Sequence, residues 1–236
     1  MLGFILFFKI LFLYFKMKIL ISLVTIDRDA YAIPLVFQAI RKELENFDLL
    51  IVCRRTDRKC LQKWKEVCPK VIIKTVPHYE IKKRHNMINI CKKRNISLDY
   101  AKDNGYDYLF FIDSDIIVNI NTLDILLKGC EEYKADVCSV PYFVKWLGYV
   151  ATGIQNNTRF DYIKVKKDSD TISYCTGGGG MGCTLIKSTV FHVPFSVEKI
   201  KINCLAIIGE DIGFFMNIVK NNYLSLYVKN HEIQHL

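Results

Sequence analysis

Four apolar runs, separated by stretches of helical periodicity, constrain the fold of this chain more than any other feature. They are KILISLVTI (18–26), LLIVC (49–53), VIIKTV (71–76) and YLFFI (108–112). Helical patterns fill residues 31–45, 57–67 and 82–104 between them, the last stopping at Asn104-Gly105, a combination that ends helices. None of the runs alternates apolar with polar side chains, so each is buried on both faces. Such strands, spaced by helices, build a parallel sheet covered by helices on both sides. The expected class is therefore α/β with a mostly parallel, Rossmann-like sheet. The second half is less regular: a helix over 121–134, a strand in ADVCSVPYF (135–143), then TGGGGMGCTLI (176–186) and GEDIGFFMNIVK (209–220). With no Pro-, Gly- or Ser-rich linker and no internal repeat, 236 residues read as one domain over 17–236.

The nine cysteines include no CxxC pair and are odd in number, which reads as reduced thiols of a cytosol-like compartment, mostly filling the core. The sequons at Asn95 and Asn156 then carry no meaning. A net charge of +9 suggests anionic partners: phosphates, nucleic acid or an acidic membrane surface. KKRH (82–85) and KKR (92–94) share one expected helix, and a solvated helix face accounts for most of these cations. No nucleic-acid motif or aromatic-plus-basic platform accompanies them, so nucleic acid is not an expected partner. The first sixteen residues, MLGFILFFKILFLYFK, are apolar but too short to span a bilayer. Their lysines lie inside and after the run, where a signal peptide places its basic residues before it. Three readings stand: a peripheral membrane contact, an extra buried segment, or an extension upstream of a start at Met17.

Within YLFFIDSDIIV (108–118) two carboxylates, Asp113 and Asp115, interrupt an apolar stretch with Ser114 between them. Two like charges so placed require compensation. In a parallel sheet, ligands bind beyond the carboxyl ends of the strands, and these aspartates stand at such an end. A hard cation, Mn²⁺ or Mg²⁺, takes carboxylate and phosphate oxygens and would neutralise the pair; a simple turn or helix cap is the bland alternative.

On the helix before them, Met87, Cys91, Leu98 and Ala101 form one stripe, and Arg94 occupies its middle. An inward guanidinium needs an anion, either a diphosphate or a carboxylate of the protein. The late helix buries Ile212, Phe215, Met216 and Val219 by phase, with Glu210 and Asp211 in its first turn. Asp211 borders the buried face and Glu210 points nearly away from it. The helix dipole favours ionised Asp211, a candidate general base. Gly177 to Gly180 match no phosphate-loop pattern and indicate close backbone approach to a substrate or a tight bend. His235 or His231 could add a metal ligand.

Taken together and in order, KKRNISLDYAKDNGYDYLFFIDSDIIV, GGGGMGCTLIKSTVF, GEDIGFF and EIQHL resemble nucleotide-sugar glycosyltransferases of the GT-A fold, particularly family 2-like inverting enzymes. The resemblance runs from about Met17 to His235. It implies a nucleotide-sugar-binding half over 17–118 and an acceptor half over 119–236. It places the nucleotide pocket at Thr25 and Asp27, the donor diphosphate near Arg94, and the nucleoside and metal at Asp113, Ser114 and Asp115. His235 matches a further metal ligand found in some relatives. Asp211 matches the general base, with Glu210 beside it at the acceptor. The glycine-rich segment, through Gly178 and Gly179, and residues 142–146 with Trp146 would border that acceptor, a glycan, lipid or protein hydroxyl. After the second strand, where many relatives carry acids that read the base, this chain has CRRTD (53–57), so Arg54 or Arg55 would contact phosphate instead. Two other readings use the same residues. A haloacid-dehalogenase-type phosphohydrolase also carries D-x-D after an apolar strand, but with the first aspartate near the start of its fold. A GT-A-like scaffold could also bind without catalysis.

Overall fold

The computed structural model describes residues 17–77, 86–141, 143–144, 148–155, 159–164, 171–178, 180–202, 205–231 and 233–236. The apolar segment 1–16, the KKRH cluster, Tyr142, Trp146 and Gly179 lie outside the described residues.

The four apolar runs become β1 (Ile19–Val24), β2 (Asp48–Arg54), β3 (Ile72–Val76) and β4 (Tyr108–Asp113). Helices α1 (Ile33–Ile40), α2 (Arg58–Val67) and α3 (Asn86–Asp103) connect them. Where the sequence suggests one helix over 31–45, the chain makes a 3₁₀ turn at Asp27–Tyr31, α1 with Pro34 in its first turn, and another 3₁₀ turn at Glu43–Glu45. After β4 come β5 (Ile116–Ile117), α4 (Thr122–Glu132), β6 (Val137–Ser139), β7 (Phe143–Val144), β8 (Gly148–Gln155), β9 (Arg159–Lys164), β10 (Ser173–Thr176) and β11 (Cys183–Lys187). Then follow β12 (Glu198–Ile202), β13 (Leu205–Gly209), α5 (Glu210–Lys220), β14 (Ser225–Lys229) and β15 (Gln234–His235).

The main sheet has eight strands in the order β10-β14-β6-β11-β4-β1-β2-β3. Strands β1 to β4 pair in parallel, as do β6 and β14, whereas β11 and β10 run against their neighbours. The sheet is thus mostly parallel, and the reversed strands all belong to the less regular second half.

Pleating sorts the core into two layers. Ile19, Ile21 and Leu23 of β1, with Tyr108, Phe110 and Ile112 of β4, pack against α1, α2 and α4. Leu20, Leu109 and Phe111 face the other way, onto α3 and α5. Because successive strand residues alternate faces, Asp113 falls on the second side, under α3 and α5. The polar Ser22 on this face hydrogen-bonds Ser97 of α3 at 2.8 Å, both fully buried.

The chain order also fixes where a ligand can sit. β2 and β3 extend the sheet to one side of β1 and β4 extends it to the other, so the carboxyl ends of β1 and β4 flank the topological switch point. Val24 stands directly opposite Asp113 there.

Candidate active site

The buried guanidinium of Arg94 organises the switch point. It is 3% exposed, donates to Asp113 Oδ1 at 2.9 Å and lies 3.6 Å from Glu210 Oε1. Its flat faces rest between the rings of Phe111 and Phe195, 5.4 and 5.8 Å from their centroids. Among the described residues the anions that Arg94 meets are the carboxylates of Asp113 and Glu210. This also accounts for half of the charge in YLFFIDSDIIV.

Glu210 departs from the expectation of helical phase. Its side chain is only 14% exposed and turns toward Arg94. The extended Gly209 feeds directly into the first turn of α5, so residue 210 reaches across the helix end rather than out to water. Burial raises the pKa of Glu210, and Arg94 offsets only part of this. Burial likewise raises that of Asp211, against the hydrogen bond from the Ile212 N–H and the charge of Arg94. Raised carboxylate pKa values suit groups that accept a proton near neutral pH. The buried face of α5 is also wider than the phase suggests: Phe214 and Ile218 are fully buried while Met216 and Val219 are partly exposed. The buried Phe195 stacks on Phe214 at 4.4 Å between centroids and meets Phe111 of β4 edge-on at 5.7 Å, joining α5 to the sheet.

Asp115 lies on the far side of the turn. Burial and the neighbouring charge of Asp113 raise its pKa, partly countered by His235. The His235 Nε2 is 3.3 Å from Asp115 Oδ2, brought there because β15 pairs antiparallel with β5 and the Leu236 N–H donates to the Asp115 carbonyl. Ile233 is buried in the core, and the His231 ring meets the buried Thr122 hydroxyl at 2.9 Å. His231 is therefore an anchor of this segment and His235 its functional candidate. One carboxylate beside one imidazole is a donor pair that Mn²⁺ or Mg²⁺ accepts when phosphate oxygens and water complete the shell. Among the described residues no three His, Cys, Asp or Glu side chains gather as a complete ligand set.

Ser114 is buried and its hydroxyl donates to Asp29 at 2.7 Å, tying the D-S-D turn to the 3₁₀ turn after β1. Thr25 and Asp27 continue β1, and Arg54 ends β2. Their neighbourhood is organised by Asp57, which sequence reading missed. Its carboxylate accepts from the Arg54 backbone N–H at 2.8 Å and from the Arg54 guanidinium at 2.7 Å, and the Asp27 N–H points to it at 3.4 Å. Burial alone would raise the Asp57 pKa; the Arg54 hydrogen bonds win and hold it below the usual carboxylate range. Asp27 in turn accepts from the Cys60 N–H at the start of α2, at 3.0 Å. An acid directly before a helix start is the available signal for Asp57.

The glycine run meets its expectation of tight bends at Gly177 (φ 138) and Gly180 (φ 86), conformations that favour glycine. Gly178 has a different reason. A Cβ there would stand 2.5 Å from the buried ring of Phe215 on α5. The close approach is thus to a core side chain of the helix that carries Asp211. Gly178→Ala is expected to destabilise the fold by about 1–3 kcal/mol, an overpacking cost, read as a lower urea midpoint at unchanged m-value. The eight described cysteines are all free thiols, and no described helix is long and apolar enough to cross a membrane.

The mostly parallel eight-stranded sheet, with its switch point between β1 and β4, is that of the GT-A fold. Solved structures of TarS from S. aureus share it. TarS 1–349 superposes with a TM-score of 0.56 at 17% identity, covering 92% of this chain and 59% of that one. A longer TarS structure gives 0.58 at 16% identity, with 92% and 36% covered. TarS 1–349 with UDP-GlcNAc gives 0.55 at 18% identity, with 93% and 60% covered. This chain thus spans three fifths or less of the TarS chains it matches. No family model matches the sequence, and no curated protein does.

Proposed function

We propose that the protein is a metal-dependent, inverting glycosyltransferase that moves a sugar from a nucleoside-diphosphate sugar to a hydroxyl acceptor. The observation that carries this reading is the meeting of the β4 aspartate and the α5 acid on Arg94 at the switch point of a GT-A sheet. TarS, which shares the fold, has been solved with UDP and with UDP-GlcNAc, which supports a nucleotide-sugar donor here.

Thr25 and Asp27, after β1, would hold the nucleoside side of the donor, with Asp113 and Ser114 at its ribose, and Arg54, at the end of β2, would meet its phosphate. Asp115 and His235 would hold Mn²⁺ or Mg²⁺ together with the donor phosphates. When bound, that ion supplies neutralisation of negative charge on the departing diphosphate. Asp211 would take the proton from the acceptor hydroxyl. The freed oxygen attacks the anomeric carbon, the bond from that carbon to the diphosphate oxygen breaks, and the configuration inverts. Arg94 fixes Asp113 and Glu210 relative to each other, so donor and acceptor halves keep one geometry. Gly178, with Gly179 and Trp146, would border the acceptor.

The phosphohydrolase reading makes Asp113 a nucleophile at the end of a first strand. Here it ends the fourth, with its carboxylate engaged by Arg94, which counts against that chemistry.

A thermal-shift panel of UDP, GDP, CDP, ADP and dTDP, with and without Mn²⁺, tests the reading. A ligand present at about 100 times its dissociation constant stabilises by about 2.7 kcal/mol. One base is expected to give a metal-enhanced shift. No shift from any nucleotide would remove the transferase reading.

A further inference from the structure

Lys93 is the second cation buried on the inner side of α3, at 3% exposure. Sequence phase gave no warning of it, since the stripe through Arg94 leaves position 93 at its edge. Arg94 faces two carboxylates, but Lys93 faces none: its ammonium makes one hydrogen bond, to the Thr25 carbonyl at 2.8 Å. Asp57 is the largest opposing charge acting on it, yet that carboxylate is engaged by the Arg54 guanidinium and backbone and by the Asp27 N–H. Among the described residues no acid forms an ion pair with Lys93. An ammonium carries three N–H donors, and burying it with one acceptor is unfavourable. Burial accordingly pushes the Lys93 pKa down, with only partial relief from Asp57. The arrangement lies at the carboxyl end of β1, beside Thr25 and the β2 residues Cys53 and Arg54, where acids that would read a base are replaced by CRRTD.

We propose that Lys93 is a donor-binding residue whose ammonium, shared with the Thr25 carbonyl, hydrogen-bonds an acceptor oxygen of the bound nucleotide. This rests on the nucleotide-sugar reading above and adds a cationic contact that the family resemblance does not supply. The oxygen can belong to a phosphate or to a base carbonyl, and the two are separable by experiment.

A structural lysine and a ligand-facing one respond differently to Lys93→Met, which keeps the length and removes the charge. If Lys93 only supports the fold, its loss orphans Thr25 and destabilises the ligand-free protein. If it faces the ligand, the ligand-free variant keeps or gains stability, because an under-satisfied buried charge is gone, while affinity falls. The experiment measures thermal unfolding without ligand, then calorimetric binding of UDP, CDP, GDP, their nucleosides and inorganic pyrophosphate, without metal. The expected result is an unchanged or higher Tm with roughly 10- to 100-fold weaker nucleotide binding, the scale of a lost charged hydrogen bond, and retention of most affinity in Lys93→Arg. Loss shared by nucleoside and nucleotide assigns the base carbonyl; loss confined to the diphosphate and pyrophosphate assigns a phosphate. Wild-type affinity in Lys93→Met overturns the proposal and leaves the transferase reading standing, as does a variant that fails to fold while Lys93→Arg binds no better than Lys93→Gln. Wild-type protein that binds none of these probes, with or without Mn²⁺, removes both.

Discussion

Asp211→Asn is expected to lower glycosyl transfer by about 10²–10⁴-fold, the range for losing a general base, while nucleotide binding stays at wild-type strength. Asparagine keeps the shape and can still meet the Ile212 N–H through its carbonyl oxygen, the bond that Asp211 Oδ1 makes at 2.7 Å. What it cannot do is take a proton. The separation of effects follows from placement: Asp211 opens α5, whereas the donor-side candidates sit at the ends of β1, β2 and β4. The pH profile carries a second signature. Burial raises the Asp211 pKa, so its proton-accepting form is lost as pH falls through that raised value. The acidic limb of the wild-type rate should therefore lie above the ordinary carboxylate range. Steady-state transfer measured beside calorimetric nucleotide binding checks both parts, and unchanged transfer in Asp211→Asn removes the residue from the role of base.

Arg94→Met is expected to cost about 3–5 kcal/mol of folding stability, the effect of leaving buried charges without their partner. Both Asp113 and Glu210 depend on this one guanidinium, and water cannot easily replace it between Phe111 and Phe195. Burial raises the pKa of Glu210, so above that raised value Glu210 carries an uncompensated charge and the loss is full; as pH falls through it, protonation removes the charge and the loss shrinks. Urea unfolding of wild type and variant at pH 7 and pH 5 reads this as a smaller difference at the lower pH. An equal difference at both would show that Arg94 contributes packing rather than charge.

The fold was legible wherever local pattern decided it. β1, β2 and β4 came from apolar runs buried on both faces, while VIIKTV became β3, the partly exposed edge of the sheet, and the position of Asp113 at a strand end followed from its apolar lead-in. Arg94 could be picked out because an arginine inside an apolar stripe has to meet an anion. Which anion it meets depends on Glu210, whose direction is set by the extended entry of Gly209 into α5, a tertiary matter that helical phase misjudged. Asp57 and Lys93 were passed over for a related reason. A carboxylate ahead of a helix and a lysine in a basic triplet are ordinary in sequence, and only the convergence of β1, β2 and α3 makes one a clamp on Arg54 and the other a buried cation. The antiparallel run of β11 against β4 was likewise invisible, because strand direction is decided by the path of the chain outside the strand.

Donor turnover tests the central claim most directly. The measurement is release of nucleoside diphosphate from a panel of UDP-, GDP-, CDP- and dTDP-sugars in the presence of Mn²⁺, by wild type, Asp115→Ala and Asp211→Asn. The account predicts release from donors of one base by the wild type and metal-dependent loss of that release in Asp115→Ala. Asp211→Asn should fail to transfer to any added acceptor. Release that persists unchanged in Asp115→Ala, or none from any donor by the wild type, would contradict it.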